Sequence, residues 1–147
     1  MLGGLDLDPF SSDSANEVVL AKRYFTIDDN AFLQEWHAKN VWMNPPYSRG
    51  VCAMAVDKLV LEFNDRRVEN AVALTNNATD TKWFKVLAGA AAAVCFTDHR
   101  IAFWNLDCKK VSGNTRGQTF HLLTRSSSVA ERFAEEFRKY GLVFVSA

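Results

Sequence analysis

Apolar residues recur at two different spacings along this chain, and the change from one to the other marks out its elements. From Val51 to Phe63 the positions Val51, Ala55, Leu59 and Phe63 fall every four residues, as on one face of a helix. Val129, Phe133 and Phe137 repeat that spacing and predict an amphipathic helix over 129–139, ended by Gly141. Asn70 to Thr75 is an apolar run too short for a helix and reads as a buried parallel strand. Leu5 to Leu7, Val41 to Met43, Ala93 to Phe96, Arg100 to Trp104, Thr119 to Leu123 and Leu142 to Val145 read as further strands. Three more helices are predicted from capping residues. One runs from Ser14 to Arg23 with Glu17 completing a capping box, one from Thr26 to Trp36 with Asp29 at capping distance, and one from Thr79 to about Ala88. Lys109 to Gln118 is a polar loop.

Strand and helix alternate through the first two thirds, and strands crowd together afterwards. That order predicts an α/β sheet, mostly parallel, with an antiparallel C-terminal strand. No repeat or linker interrupts it, so residues 1–147 are expected to form one domain. Ligands of such sheets bind beyond the carboxyl ends of the strands. Asp8-Pro9, Asn44-Pro45 and Asn76-Asn77 all fall at strand ends and should share one edge.

Composition narrows the class. Apolar residues make up 48% of the chain and aromatic residues 12%, a globular balance. No apolar run approaches the ~20 residues that cross a bilayer, and Met1-Leu2-Gly3-Gly4 is neither signal nor transit sequence. Cys52, Cys95 and Cys108 are odd in number and widely spaced, as free thiols in a reducing cytoplasm would be. His37, His99 and His121 are equally scattered, so no metal site is expected. The formal net charge is zero and the pI about 6.8. A dedicated nucleic-acid binder carries a basic excess; here a locally basic face could come from Arg49, Arg66, Arg67, Lys82 and Lys85.

The chemistry-bearing stretch is Asn44-Pro45-Pro46-Tyr47. Each Pro fixes φ near ~−65° and removes an N–H, so the backbone leaves the strand rigid and extended. An Asn side-chain oxygen and a Pro carbonyl held together can accept both hydrogens of one amino group. A Tyr ring beyond them can lie on a flat base. The same letters also fit an Asn-Pro-x-Tyr recognition peptide or a plain turn. The flanking apolar strand and helix favour a site.

At this point the chain resembles the phage-type Dam-like DNA N6-adenine methyltransferase family. The likeness rests on Gly3 to Ser12, Tyr24 to Asn30, Val41 to Arg49 and Leu74 to Phe84, joined by Arg100-Ile101-Ala102-Phe103. It implies a single-domain Rossmann-like methyltransferase fold using S-adenosylmethionine. It also implies DNA as partner, with neither metal nor membrane, in a bacterial cytoplasm under a phage or prophage. Asp8, Pro9, Phe10, Ser11 and Ser12 carry over as cofactor contacts, with Asp28 and Asp29 toward the adenosine end. Alternatively, Asp8-Pro9 only terminates a strand and Asp29 only caps at Thr26. Asn44, Pro45, Pro46 and Tyr47 carry over as the catalytic set, Asn44 Oδ1 and the Pro45 carbonyl holding the adenine N6 and Tyr47 stacking on the flipped base. Ser48, Arg49, Asn76, Asn77, Thr79 and Lys82 carry over as DNA contacts.

The turn after Asp8 has no Gly-rich loop, and the chain begins N-terminally short of the family's Trp-x-Thr-Pro-like segment. Two other readings stand beside the enzyme, the first resting on the short N-terminus and the second on the Asn-Pro-Pro-Tyr motif itself. One is an N-terminally truncated, non-catalytic methyltransferase-like binding protein. The other is a protein-glutamine N-methyltransferase, in which the same acceptors hold an amide nitrogen. No large recognition domain is inserted between the motifs, so any DNA specificity must come from short loops. Restriction-protection mapping is expected to return a short or relaxed site, and one long strict site would contradict this.

Overall fold

The computed structural model describes residues 1–104, 110–111 and 116–147. In chain order these form β1 (Leu7–Asp8), α1 (Asp13–Val19), β2 (Arg23–Tyr24), a 3-10 turn (Ala31–Leu33), β3 (Ala38–Met43), α2 (Val51–Asn64) and β4 (Val68–Asn76). There follow α3 (Lys82–Ala90), β5 (Ala93–Thr97), β6 (Phe103–Trp104), β7 (Lys110–Val111), β8 (Gln118–Leu123), α4 (Ser127–Phe137) and β9 (Gly141–Val145). Seven strands make one mixed sheet in the order β2-β1-β3-β4-β8-β5-β9, while β6 and β7 pair apart from it. The pairs β1–β2, β1–β3 and β3–β4 are parallel. The pairs β4–β8, β5–β8 and β5–β9 are antiparallel.

β1 to β5 thus run one way, and both β8 and β9 oppose them, where a single antiparallel strand was expected. β8 enters between β4 and β5, which only long-range pairing can decide. The strand expected over 100–104 keeps only Phe103–Trp104, outside the main sheet. Of the polar loop expected over 109–118, Lys110–Val111 is strand and Gln118 opens β8; Lys109 and 112–115, like Cys108, lie outside the described residues.

Alternating side chains feed two cores. Val41, Met43, Ala71, Ala73 and Leu123 face α2, α3 and Trp36, while Val72, Leu122 and Cys95 face Val129, Ala130 and Phe133 of α4. Period-2 patterning on strands buried from both sides is what made them read as unbroken apolar runs. A chain of buried polar groups crosses β3, β4 and β8. Asn70 Nδ2 donates to Asn40 Oδ1 (3.0 Å), and Thr124 Oγ1 donates to Asn70 Oδ1 (2.6 Å). Glu62 is buried on α2. Burial pushes its carboxyl up, but ion pairs to Arg67 and Lys58 outweigh this, and the net shift is downward.

Three predicted helices begin or end elsewhere. α1 is capped by Ser12, whose hydroxyl accepts from Ala15 N, and stops at Leu20 (φ 58) rather than reaching Arg23. Asn16 closes it by bonding both backbone groups of Ala21. The helix expected over 26–36 is a turn plus one 3-10 turn. Asp29 Oδ2 does reach back to Thr26 N (2.7 Å), but Asn30 at φ 52 breaks the continuation. α3 is capped by Thr81, not Thr79. The last strand needs a glycine at its start, because a Cβ on Gly141 would fall 1.9 Å from the Phe96 carbonyl oxygen.

Phe133 is fully buried under the sheet and stacked on Phe137, with ring centroids 4.1 Å apart. Phe133→Ala is expected to cost about 3–5 kcal/mol, read as a lower urea midpoint with unchanged slope.

Candidate functional site

The order β2-β1-β3 means that the sheet grows in one direction from β1 to β2 and then in the other from β1 to β3. At that reversal the loops leaving the carboxyl ends of β1 and β3 turn to opposite faces and leave a crevice. A cavity of about 440 Å³ lies there, walled by Phe10, Ser11, Ile27, Phe32, Pro46 and Ser48. Pro9 belongs to the same wall. Three loops therefore contribute, those after β1, β2 and β3.

The wall is apolar and partly aromatic. The Phe10 and Phe32 rings lie 5.6 Å apart, and Phe10 meets Trp36 edge-on at 5.8 Å. Trp36 is itself fixed by donating Nε1–H to Ala31 O (2.9 Å). Phe32, Ile27, Thr26, Asn30 and Val51 also line the cavity, and sequence reading missed them as site residues. No local pattern announces them; only in the folded chain does Ile27 stand out, 93% exposed in an otherwise polar turn.

Asp8 lies at the end of β1 and is almost fully buried. Its Oδ1 accepts from Phe10 N (3.2 Å), and its backbone oxygen accepts from Phe25 N (3.0 Å), binding the first two loops together. Burial pushes its carboxyl up to about 6, against the lowering effect of the Phe10 amide and the Ser11 side chain. Ser12 is occupied as the α1 cap, and Asp29 holds Thr26 through its carboxylate. Asp28 is exposed, and neither Asp28 nor Asp29 forms part of the cavity wall.

Beyond Met43 the chain passes through half-buried Asn44 and buried Pro45 to exposed Pro46 and Tyr47. Gly50, at φ 79, then turns it into α2. The Tyr47 hydroxyl donates to Leu74 O at 3.0 Å and sits 3.4 Å from Asn44 Oδ1. One proton cannot serve both well, and the shorter contact takes it, so Asn44 Oδ1 keeps its capacity to accept. Burial of the hydroxyl, with the nearby Cys52 thiol, pushes the Tyr47 phenol above its ordinary range. The residue as a whole remains 39% exposed. Tyr47 is thus anchored at its tip and in part open to solvent.

β3 and β4 are parallel neighbours, so Asn44 and the loop after β4 share one edge. Asn76 Oδ1 accepts from Gln118 Nε2 (3.0 Å), and Asn77 N donates to Gly117 O (3.0 Å). Thr79 N donates to Asn77 O (2.8 Å), while Ser48, Arg49 and Lys82 are exposed. Gln118 is a further residue of this edge that sequence reading did not single out. Among the described residues its Oε1 is buried without a partner, as are Thr119 Oγ1 and His121 Nδ1. His121 is held neutral, its pKa pushed down to about 4 by burial. Arg66 stands apart from Arg49 and Lys82, beyond the C-terminus of α2, so the basic residues counted along the sequence do not form one face.

Among the described residues no group of His, Cys, Asp and Glu could hold a metal ion, and no helix is long and apolar enough to cross a membrane. Fold and site together define an α/β sheet protein with a crevice at its strand-order reversal and an Asn-Pro-Pro-Tyr turn beside it. The model of the DNA N-6-adenine-methyltransferase (Dam) family matches residues 2–137, and the chain belongs to that family. It is 31% identical over 103 residues to the DNA N-6-adenine-methyltransferase of Haemophilus phage HP1 (strain HP1c1), a match covering 68% of this chain and 55% of that protein. The chain thus spans about half the length of the curated relative it matches.

The raised pKa of Asp8 has a definite sign. Its folded value lies above its unfolded one, so its stabilising effect is complete below pH ~4 and lost as pH rises through about 6. Asp8→Asn is therefore expected to be near neutral at pH 4 and to stabilise at pH 8. At ~1.4 kcal/mol per pKa unit the gain is at most about 3 kcal/mol. Urea midpoints at the two pH values measure it, and equal differences at both would refute the assignment.

Proposed function

We propose that this chain is an S-adenosylmethionine-dependent methyltransferase domain of Rossmann-like topology that methylates adenine N6 in DNA. The observation that carries the reading is the pairing of an acceptor with a partly exposed tyrosine at Asn44 and Tyr47, one loop from the crevice at the strand-order reversal. Membership of the Dam family and the name of the phage relative point the same way. The host cytoplasm is the matching setting.

The residues fit the methyl donor. The Phe10–Phe32 wall offers an apolar surface for a purine, and Ser11 offers a hydroxyl. Asp8 is not itself part of the cavity wall, but its carboxyl, bonded to the Phe10 amide behind that wall, is in this reading the partner for an ammonium or a ribose hydroxyl. S-adenosylmethionine, when bound, supplies a methyl group on a positively charged sulfur.

In this reading Asn44 Oδ1 and the Pro45 carbonyl accept the two hydrogens of the adenine amino group and aim its lone pair. Pro46 has no N–H, and its ring restricts Pro45, so the Pro45 carbonyl is held in place without a competing local donor. Tyr47 stacks on the extruded base, offsetting the few kcal/mol that extrusion costs. No general base is called for, since the amine loses its proton after attack. Positioning is the protein's contribution, worth up to ~7–11 kcal/mol in well-oriented systems. Ser48, Arg49, Asn76, Asn77, Thr79 and Lys82 flank the base as DNA contacts in the same reading. Arg49 and Lys82 are the phosphate partners.

The test is transfer of labelled methyl to unmethylated DNA, with the product identified by mass spectrometry. The parent is expected to make N6-methyladenine, and Asn44→Ala to lose about 10²–10³ in rate while keeping cofactor affinity within a few-fold. Cofactor binding without product from a folded parent would sink the reading in favour of a non-catalytic relative. Labelling of peptide rather than DNA would move it to glutamine amides.

A further inference from the structure

A cavity of about 640 Å³ lies away from the candidate site, at the opposite end of the sheet. It opens where β3 and β4 begin and where the chain leaves β8 for α4. Four cations line it: Lys39, Arg66, Arg125 and Arg132. Glu69 is the one acid of the lining. The balance of +4 against −1 stands out in a chain with 17 basic and 17 acidic residues.

These charges are left for an outside partner. No ion pair among the described residues engages any of the four, although Lys39 lends some field to Asp6. The neighbouring Arg67, by contrast, is neutralised by Glu62 and Asp65. Arg125 is held at the wall, its guanidinium 3.9 Å from the Phe63 ring centroid and its Nη2 donating to Phe63 O. That contact orients the group without cancelling its charge. The floor is polar and closed, since Asn40, Asn70 and Thr124 bond one another. Leu2, Val68 and Val129 also line the cavity, and the cations above its polar floor suit phosphate oxygens.

We infer that this cleft binds the phosphodiester backbone of a second stretch of nucleic acid. Along β3 only the four steps from Asn40 to Asn44, roughly 13 Å, separate the cleft floor from the Asn44 edge, but the two open at opposite ends of the strands. A duplex seated on one end faces away from the other, so each end can hold its own. The inference goes beyond the methyl-transfer reading and does not rest on it, because backbone binding needs no chemistry.

The probe is a fluorescein-labelled duplex of twelve base pairs, titrated without cofactor at several salt concentrations and followed by anisotropy and stoichiometry. The parent is expected to take two duplexes per chain. Lys39→Glu/Arg132→Glu is expected to take one, and Arg49→Glu/Lys82→Glu at the far edge to keep the cleft-bound duplex. Each cation removed from a phosphate contact should flatten log K against log salt by about 0.9. Arg66→Gly serves as the folding control. Arg66 sits at φ 62, where glycine is favoured, so this variant is expected to melt higher while binding DNA more weakly. An unchanged stoichiometry and salt slope in the cleft variants would overturn the inference. So would inorganic phosphate at equal phosphate concentration displacing the cleft-bound duplex, since the site would then be one for a single phosphate.

Discussion

The parallel pairing of β3 with β4 sets where everything else in this molecule can lie. Asn40 faces Asn70 and Met43 faces Ala73 in that ladder. Its far end therefore brings Asn44 beside the Leu74 carbonyl, and its near end brings Lys39 beside Glu69. The register is specified twice over. A slip of one residue would turn Val41 and Met43 away from their core. It would also break the bond from Asn70 to Asn40, leaving buried amides without partners. Shape at both ends follows from this one alignment.

The site at the carboxyl end divides into a stiff part and an assembled part. Asn44 to Tyr47 is stiff for local reasons, with two prolines in sequence and a hydroxyl tied to the neighbouring strand. The crevice is assembled from three loops that meet only because β1 lies between β2 and β3. Within the assembled part Asp8 ties the loops after β1 and β2 together. It stabilises the loop geometry through the Phe10 amide, yet its burial makes the ionised form costly. A group placed so trades some stability for a charge available on demand, as functional sites commonly do.

That division also explains what was legible in the sequence. α2 and α4 were readable because Val51 to Phe63 and Val129 to Phe137 carry their periodicity within one element. β4 was readable as a strand buried on both faces. Asn44 to Tyr47 was readable because proline acts on its own neighbours. Leu20 and Asn30 were not, since neither is glycine and both take positive φ under tertiary control. The same holds for Phe32 and Ile27 as cavity wall, and for Gln118 beside Asn76. Those roles come from residues far apart in sequence, and no local pattern encodes them. The basic cleft was hidden in a subtler way, because a net charge of zero averages over a surface on which the charges are segregated.

The placing of β8 has a consequence in time. β5 is made about twenty residues before β8, yet it is joined to the parallel half of the sheet only through β8. As the chain emerges from a ribosome, the parallel half from β2 to β4 can form first, with β4 as a raw edge. β5 must wait unpaired until Gln118 to Leu123 arrives to join the two halves. Joining the two halves is thus a late insertion, with β9 still to add at the β5 edge, and the strand that joins them is also the one that covers the open edge of β4.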